Sequence, residues 1–215
     1  MQKKNRFMII GVVIMALIGL ASGVFVAQQL PTLSKKPIEF HGTLLEKPRD
    51  VSEFKLMASN DAVFDNESLK NKWTMVFFGF TNCASICPTT MAELNKMFTI
   101  LQEKKINPLP QVVLVSLDPA RDSAIKLQEY VTAFNPQFLG VRGPNETSVK
   151  IIAKEMGVAY TKTTSENKQD YTIDHTGTIM LFNPQGKLTA FFTMPHNAKS
   201  LAKDFEWISK SNKLY

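Results

Sequence analysis

The chain has 215 residues, 44% of them hydrophobic and 20% charged, and a formal net charge of +6. Lys3, Lys4 and Arg6 supply half of that excess, and the rest is spread in pairs such as Lys35–Lys36 and Lys104–Lys105. That pattern excludes a nucleic-acid surface built on a basic cluster and fits one soluble domain behind an N-terminal segment.

Residues 1–6 are basic, and residues 7–30 are uncharged, with Phe7 to Ala27 almost wholly apolar. About 20 apolar residues span a bilayer, whereas the core of a signal peptide has about 7–15. Basic residues ahead of the span hold the N-terminus in the cytoplasm. The expectation is therefore one transmembrane helix over 7–30, with residues 31–215 on the far side. In a bacterium this is an inner-membrane, single-pass protein with its soluble domain in the oxidising periplasm. A cleaved signal peptide, with Ala21, Gly23 or Ala27 near the cut, is the competing reading. Residues 31–50, with Pro31, Pro37 and Pro48 and no strong periodicity, read as a tether in which His41 is incidental.

From residue 51 to 215 the pattern is that of one α/β domain. Phe54–Met57 and Val63–Phe64 read as short strands, and the apolar run Trp73–Phe80 as a central strand buried on both faces. Met91, Leu94, Met97, Phe98 and Leu101 recur at helical spacing in a helix expected to begin near Pro88. Gln111–Leu117 is a second buried strand and Ser123–Phe134 a helix. Glu146–Met156 is another helix, closed by Gly157. Val158–Tyr160 reads as a strand, Thr178–Phe182 and Leu188–Phe192 as a hairpin, and Asn197–Lys210 as the last helix. Alternation followed by a hairpin and a terminal helix predicts an α/β sandwich with a mixed sheet.

The chain has two cysteines, Cys83 and Cys87, in the stretch FFGFTNCASICPTT where a strand hands over to a helix. On a continuous helix such residues have Cβ atoms about 5–6 Å apart, while a disulfide wants about 3.5–4.5 Å. Two thiolates converging on one ion need no contraction, because metal–sulfur bonds of about 2.3 Å span the gap. With Pro88 at the first helical position, Cys87 would sit at the N-cap, and the field of the helix terminus should lower both thiol pKa values. The spacing allows a structural disulfide, a redox couple or a metal clip.

A third ligand would decide between them. His196, after Pro195 at the mouth of the last helix, reads as a surface or capping residue. His175 lies in Tyr171-Thr-Ile-Asp-His-Thr-Gly177, a loop entering a strand, where ligands and ordinary loop histidines are both found. The methionines, including Met91, Met97 and Met194, form no cluster and read as core filling.

The chain resembles the Sco/SenC family of copper-binding, thioredoxin-fold proteins. The resemblance rests on FFGFTNCASICPTT at 77–90, SLDPARD at 116–122 and YTIDHTGTIMLFNPQGK at 171–187, together with the N-terminal anchor. It covers about residues 50–210 and implies a thioredoxin-like α/β fold with a mixed central sheet flanked by helices. It also implies that Cys83, Cys87 and His175 form one copper site. His175 would stand where thioredoxins place a cis-proline, in keeping with the lack of proline between Pro144 and Pro184. Asp118 is expected near the site, Asp174 is placed to orient His175, and Asp118 and Asp122 are equally readable as turn residues. Thiolates favour Cu(I) and imidazole suits Cu(II) as well, so the set can hold either state. Both sulfurs must be reduced and deprotonated to bind, so a Cys83–Cys87 disulfide would be the off-state.

Where family members commonly read THCPDVCP, this chain reads TNCASICP, with Asn82, Ala84 and Ser85 in place of His, Pro and Asp. The lost carboxylate is expected to shift thiol pKa and partner recognition without abolishing copper binding. The function implied is that of a membrane-anchored copper metallochaperone, an assembly factor and not an enzyme. Its partners would be the copper-bearing subunit of cytochrome c oxidase, a thiol reductant and other copper carriers. The alternative is a periplasmic thiol–disulfide reductase using Cys83 and Cys87 as its redox pair. A thiol peroxidase is disfavoured by the lack of a Thr-x-x-Cys-Pro arrangement.

Overall fold

The structure is a computed structural model that describes residues 14–20, 22, 40–164 and 171–211. The chain divides into two units, Met1–Glu39 and Phe40–Tyr215. Of the first, residues 14–20 and 22 are helical. Most of the expected span over 7–30 lies outside the described residues, and among the described residues no helix is long and apolar enough to cross a membrane.

The second unit is built on an eight-stranded mixed sheet. Its strands in chain order are β1 (Thr43–Arg49), β2 (Lys55–Ala58), β3 (Val63–Asp65), β4 (Thr74–Gly79), β5 (Gln111–Ser116), β6 (Leu139–Arg142), β9 (Ile179–Phe182) and β10 (Leu188–Phe192). They lie side by side as β1-β10-β9-β4-β5-β6-β2-β3. A separate two-stranded sheet pairs β7 (Tyr160–Thr164) with β8 (Tyr171–His175). The helices are α1 (Ile86–Glu103), α2 (Ala124–Phe134), α3 (Glu146–Glu155) and α4 (Ala198–Lys210).

Every residue of β4 is buried, because it runs between parallel β5 and antiparallel β9 with both faces covered. Its register places Gly79 beside Ser116 and Phe77 beside Ile179, so the strand delivers the chain to the cysteine loop from the centre of the sheet. On α1, Cys87, Thr90, Met91, Leu94, Met97, Phe98 and Leu101 form the buried stripe, at the spacing that keeps one helical face on a core. Met75, Met91, Met97, Met156 and Met180 are buried, as core filling requires, while Met194 is exposed.

Several elements depart from the sequence expectation, among them β7, which begins at Tyr160 where the strand expected over Val158–Tyr160 would end. The stretch read as a tether over 31–50 contains strand β1, which forms the edge of the sheet beside β10. An edge strand tolerates Pro48 and the charges of Glu46 and Lys47 that hid it. His41, expected to be incidental, begins this segment. Its backbone N–H and that of Gly42 donate to the fully buried Asp204 on α4 (2.8 and 3.2 Å), with His41 Nδ1 3.3 Å from the same carboxylate. Strand β6 was hidden by Gly140, where an added Cβ would come within 2.6 Å of Leu127 on α2, so close helix–strand packing demands glycine. Strand β8 occupies what read as a loop before His175.

Helices α1 and α4 pack together, and Glu93 on α1 joins them by accepting from the Ala198 N–H at the start of α4 (2.8 Å). The Asn197 side chain accepts from Lys199 and Ser200 N–H groups at the same terminus. Lys96, then the Ala198 amide, hold the Glu93 carboxyl below the usual carboxylate range. A depressed carboxyl pKa contributes stability that is complete above the ordinary glutamate value and is lost as pH falls through the lowered one. Glu93→Gln should therefore cost about 1 kcal/mol at neutral pH, with the difference shrinking below about pH 4. Urea denaturation across that pH range checks it.

Candidate metal centre

The cysteine loop begins where β4 ends. Cys83 N–H donates back to the Phe80 carbonyl (3.3 Å), and α1 starts at Ile86 with Ser85 at the N-cap. The helix thus begins two residues earlier than expected. Pro88 is still in the first turn, where an absent N–H costs no intrahelical bond. Cys87 lies inside that turn and not at the cap. Its side chain is fully buried, whereas Cys83 in the loop is half-buried, and both are free thiols.

His175 arrives from the other side, as the last residue of β8. One ligand atom from each of Cys83, Cys87 and His175 falls within 4.8 Å of the others. Cys87 Sγ lies 3.3 Å from His175 Nε2. His175 Nδ1–H donates to the Thr176 carbonyl (3.0 Å), which leaves the Nε2 lone pair facing the sulfurs and able to accept from the Cys87 thiol. The rings of Phe77 and Phe80, each 6.0 Å from the imidazole, form an apolar wall.

Burial sets the charge state. It pushes the Cys87 thiol well above its ordinary range, and contact with Cys83 and the charge of Asp122 add to the rise. The expectation that a helix terminus would lower both thiol pKa values fails at Cys87, because removal from water outweighs the terminal field. Burial likewise lowers the His175 pKa against the Thr176 bond, so the imidazole is neutral at neutral pH.

The expected outer residues behave differently from one another. Asp118 is buried but outside the three-residue cluster. It accepts from the Tyr171 hydroxyl (2.6 Å) and from Arg121 Nε. Asp122, also buried, accepts from Ser116 Oγ (2.5 Å), Thr81 Oγ1 (2.5 Å) and Thr81 N–H (3.2 Å), fixing the loop two residues before Cys83. Neither aspartate caps α2; Ser123 does, accepting from Lys126 N–H (3.2 Å). Asp174 is exposed, and the group that orients His175 is the Thr176 carbonyl instead. His196 is half-buried, donating from Nε2 to the Gly177 carbonyl (2.6 Å).

Sequence reasoning missed Gly79, Arg121, Tyr171 and Tyr130. A Cβ on Gly79 would stand 2.9 Å from Cys87 Sγ, so only glycine leaves room for the thiol. The Tyr130 hydroxyl on α2 is buried without a hydrogen-bond partner. After burial itself, the charges of Cys87 and Cys83 push its pKa up most. Arg121 and Asp122 stood within the SLDPARD stretch, whose run of polar residues directly after a buried strand was the available signal.

A family model described as SCO1/SenC matches residues 43–210. The chain belongs to the SCO1/SenC family. It is 35% identical over 152 residues to a putative copper-binding protein of Stutzerimonas stutzeri, covering 71% of this chain and 73% of the relative. It is 30% identical over 197 residues to an SCO2-like protein of Rickettsia prowazekii, covering 91% and 94%. Among solved structures, yeast Sco1 with copper bound is similar at 28% identity and a TM-score of 0.69, over 77% of this chain and 92% of that one. Arabidopsis thaliana ScoI with copper bound is similar at 29% identity and a TM-score of 0.68, over 75% and 99%. The fold is accordingly the thioredoxin-like α/β fold of SCO1/SenC proteins, with its mixed sheet and helices.

The donor set suits a soft or borderline ion. Two sulfurs and a neutral imidazole nitrogen converge at a partly buried site, with space for the Cys87 sulfur kept open by Gly79. Without an ion, the buried sulfur should be sluggish. In a Cys83→Ala variant, Cys87 should react with iodoacetamide at neutral pH about 10-fold or more slowly than in the urea-unfolded chain. Its rate should keep climbing beyond the ordinary thiol value of about 8.5, because a raised pKa withholds the thiolate. A rate that levels off below neutral pH would contradict the burial argument.

Proposed function

We propose that this chain is a membrane-anchored copper carrier of the SCO1/SenC family whose cargo is held by Cys83, Cys87 and His175. Its client would be the copper-bearing subunit of cytochrome c oxidase, either by handing over copper or by preparing that subunit's thiols. The observation that carries this reading is the convergence of the three ligand atoms within 4.8 Å, with Nε2 presented to Cys87 Sγ by the Thr176 bond. Copper-bound relatives of the same fold support it. Bound copper would supply a thiophilic centre that exchanges ligands without turnover. The thiolates serve Cu(I), and the imidazole extends the site to Cu(II). The protein's own part is to exclude water, keep the imidazole neutral, and release thiol protons on loading. Oxidation of Cys83 and Cys87 to a disulfide would remove both sulfurs from the donor set, so loading depends on a thiol reductant.

The reduced full-length chain in detergent should retain one copper per chain. Loss of an outer partner of a metal ligand costs about 10–100-fold in affinity. Cys83→Ala, Cys87→Ala and, for Cu(II), His175→Ala should each exceed that, with His175→Ala also altering the Cu(II) spectrum. Competitive titration checks this, and an unchanged affinity and spectrum in His175→Ala would sink the carrier reading. A thiol–disulfide reductase, by contrast, would tolerate His175→Ala.

The anchor belongs to the same proposal and is supported by the apolar run from Phe7 to Ala27 behind Lys3, Lys4 and Arg6. The expressed chain should sediment with the inner membrane and resist alkaline carbonate extraction. Deleting residues 1–30 should release it, and extraction of the full chain by carbonate would refute the anchor.

A further inference from the structure

The imidazole of the candidate site rides on a pair of strands outside the main sheet, so something other than the β-ladder must hold it in place. Among the described residues, the hydrogen bonds tying the β7–β8 pair to the rest of the domain come from three places. Lys162 meets Glu146 (3.0 Å), His175 meets Cys87, and Tyr171 meets Asp118 and Arg121. The Lys162–Glu146 pair is largely exposed and contributes little.

The Tyr171 attachment is of another kind. Arg121 Nη1 donates to the Tyr171 carbonyl (2.9 Å) and its Nε to the buried Asp118, while the Tyr171 hydroxyl donates to the other oxygen of Asp118 (2.6 Å). The guanidinium carbon lies over the Tyr171 ring, 3.6 Å from its centroid, and 6.0 Å from that of Phe80. Its remaining nitrogen, Nη2, is buried with no hydrogen-bond partner. A partly buried cation with an unspent donor is costly, and here two rings and a carboxylate offset that cost. Tyr171 is the first residue of β8 and His175 the last, with Ile173 between them in the core. The Phe80 ring, which opens the cysteine loop, has its centre 6.0 Å from both the guanidinium carbon and the imidazole centre.

We propose that Arg121 is a positioning residue for His175: it clasps β8 to the loop after β5 so that the imidazole stays against Cys87. The proposal rests on the metal-site reading above and deepens it. Loosening the clasp leaves the two sulfurs where α1 and Asp122 hold them and frees the nitrogen. Arg121 thereby sets how well the site holds Cu(II) relative to Cu(I), since thiolates carry Cu(I) and the imidazole matters most for Cu(II).

Arg121→Lys keeps a positive charge near Asp118 but cannot also reach the Tyr171 carbonyl and stack on the ring. In the reduced full-length protein it should weaken Cu(II) about 10-fold or more, change Cu(I) by less than about 3-fold, and alter the Cu(II) spectrum. Tyr171→Phe, which keeps the ring and loses one bond, should shift Cu(II) in the same direction by less. In a His175→Ala background, Arg121→Lys should have no further effect on Cu(II), because a residue that acts through another is silent once that other is gone. Equal weakening of both copper states, or an undiminished effect in the His175→Ala background, would overturn the proposal and leave Arg121 a general stabiliser. Hydrogen exchange on the metal-free protein decides the clasp without copper. The amides of residues 171–175 should exchange about 10-fold faster in Arg121→Lys while those of β4 stay unchanged, and unchanged β8 amides would refute the clasp. Should the wild type retain no copper, the metal-site reading falls while this exchange experiment still decides the clasp.

Discussion

One contact, made across 88 residues of sequence, governs the site: Cys87 Sγ against His175 Nε2 at 3.3 Å. The two partners come from different elements of the fold. Cys87 sits in the first turn of a helix that follows a fully buried strand of an eight-stranded sheet, so its position is inherited from the core. His175 ends a strand of a separate two-stranded sheet and has no such inheritance. Side chains of a single short segment make up the difference. Within residues 116–122, Ser116 and Asp122 fix the cysteine loop through Thr81, and Asp118 and Arg121 fix β8 through Tyr171. The loop after β5 thus aligns both halves of the site.

Water exclusion then decides which chemistry the aligned groups favour. Burial favours the protonated form of Cys87 and the neutral form of His175, so neither of these two brings a charge into its buried surroundings. A thiol meant to attack a disulfide works best with a pKa near the ambient pH and with access for its target. Cys87 has neither property. A cation inverts the balance by making the thiolate the favoured form of a coordinating sulfur. The same burial that makes Cys87 a poor nucleophile therefore suits it to be a ligand.

Elements whose sequences are governed by burial were legible, and those governed by long-range contacts were not. The apolar runs of β4 and β5 and the stripe from Met91 to Leu101 announce themselves, because a strand covered on both faces or a helix covered on one has few alternatives. Strand β1 carries Pro48 and charges because only one of its edges is paired. Strand β8 alternates exposed Thr172 and Asp174 with buried Ile173, too short a pattern to separate from a loop. At the site, the cysteine spacing was informative, but the start of α1 was misplaced by two residues. The preference of proline for the first helical position is a tendency, and here Ser85 and Ile86 begin the helix. That small slip changes the electrostatics, since it moves Cys87 from an exposed cap into the core.

The same burial recasts the departures from the usual family loop. Asn82, Ala84 and Ser85 are exposed, and Asn82 accepts from Lys126 Nζ at 3.0 Å on the outer surface. None of the three lies in the ligand cluster. A carboxylate at the position of Ser85 would face solvent, where water and salt screen its field. Its loss is therefore a small influence on Cys87 beside the desolvation that dominates that thiol. The expectation of a shifted thiol pKa accordingly weakens, and the expectation about recognition strengthens. Substitutions confined to the exposed rim of a buried site leave the ligands untouched and alter the face that a docking partner meets.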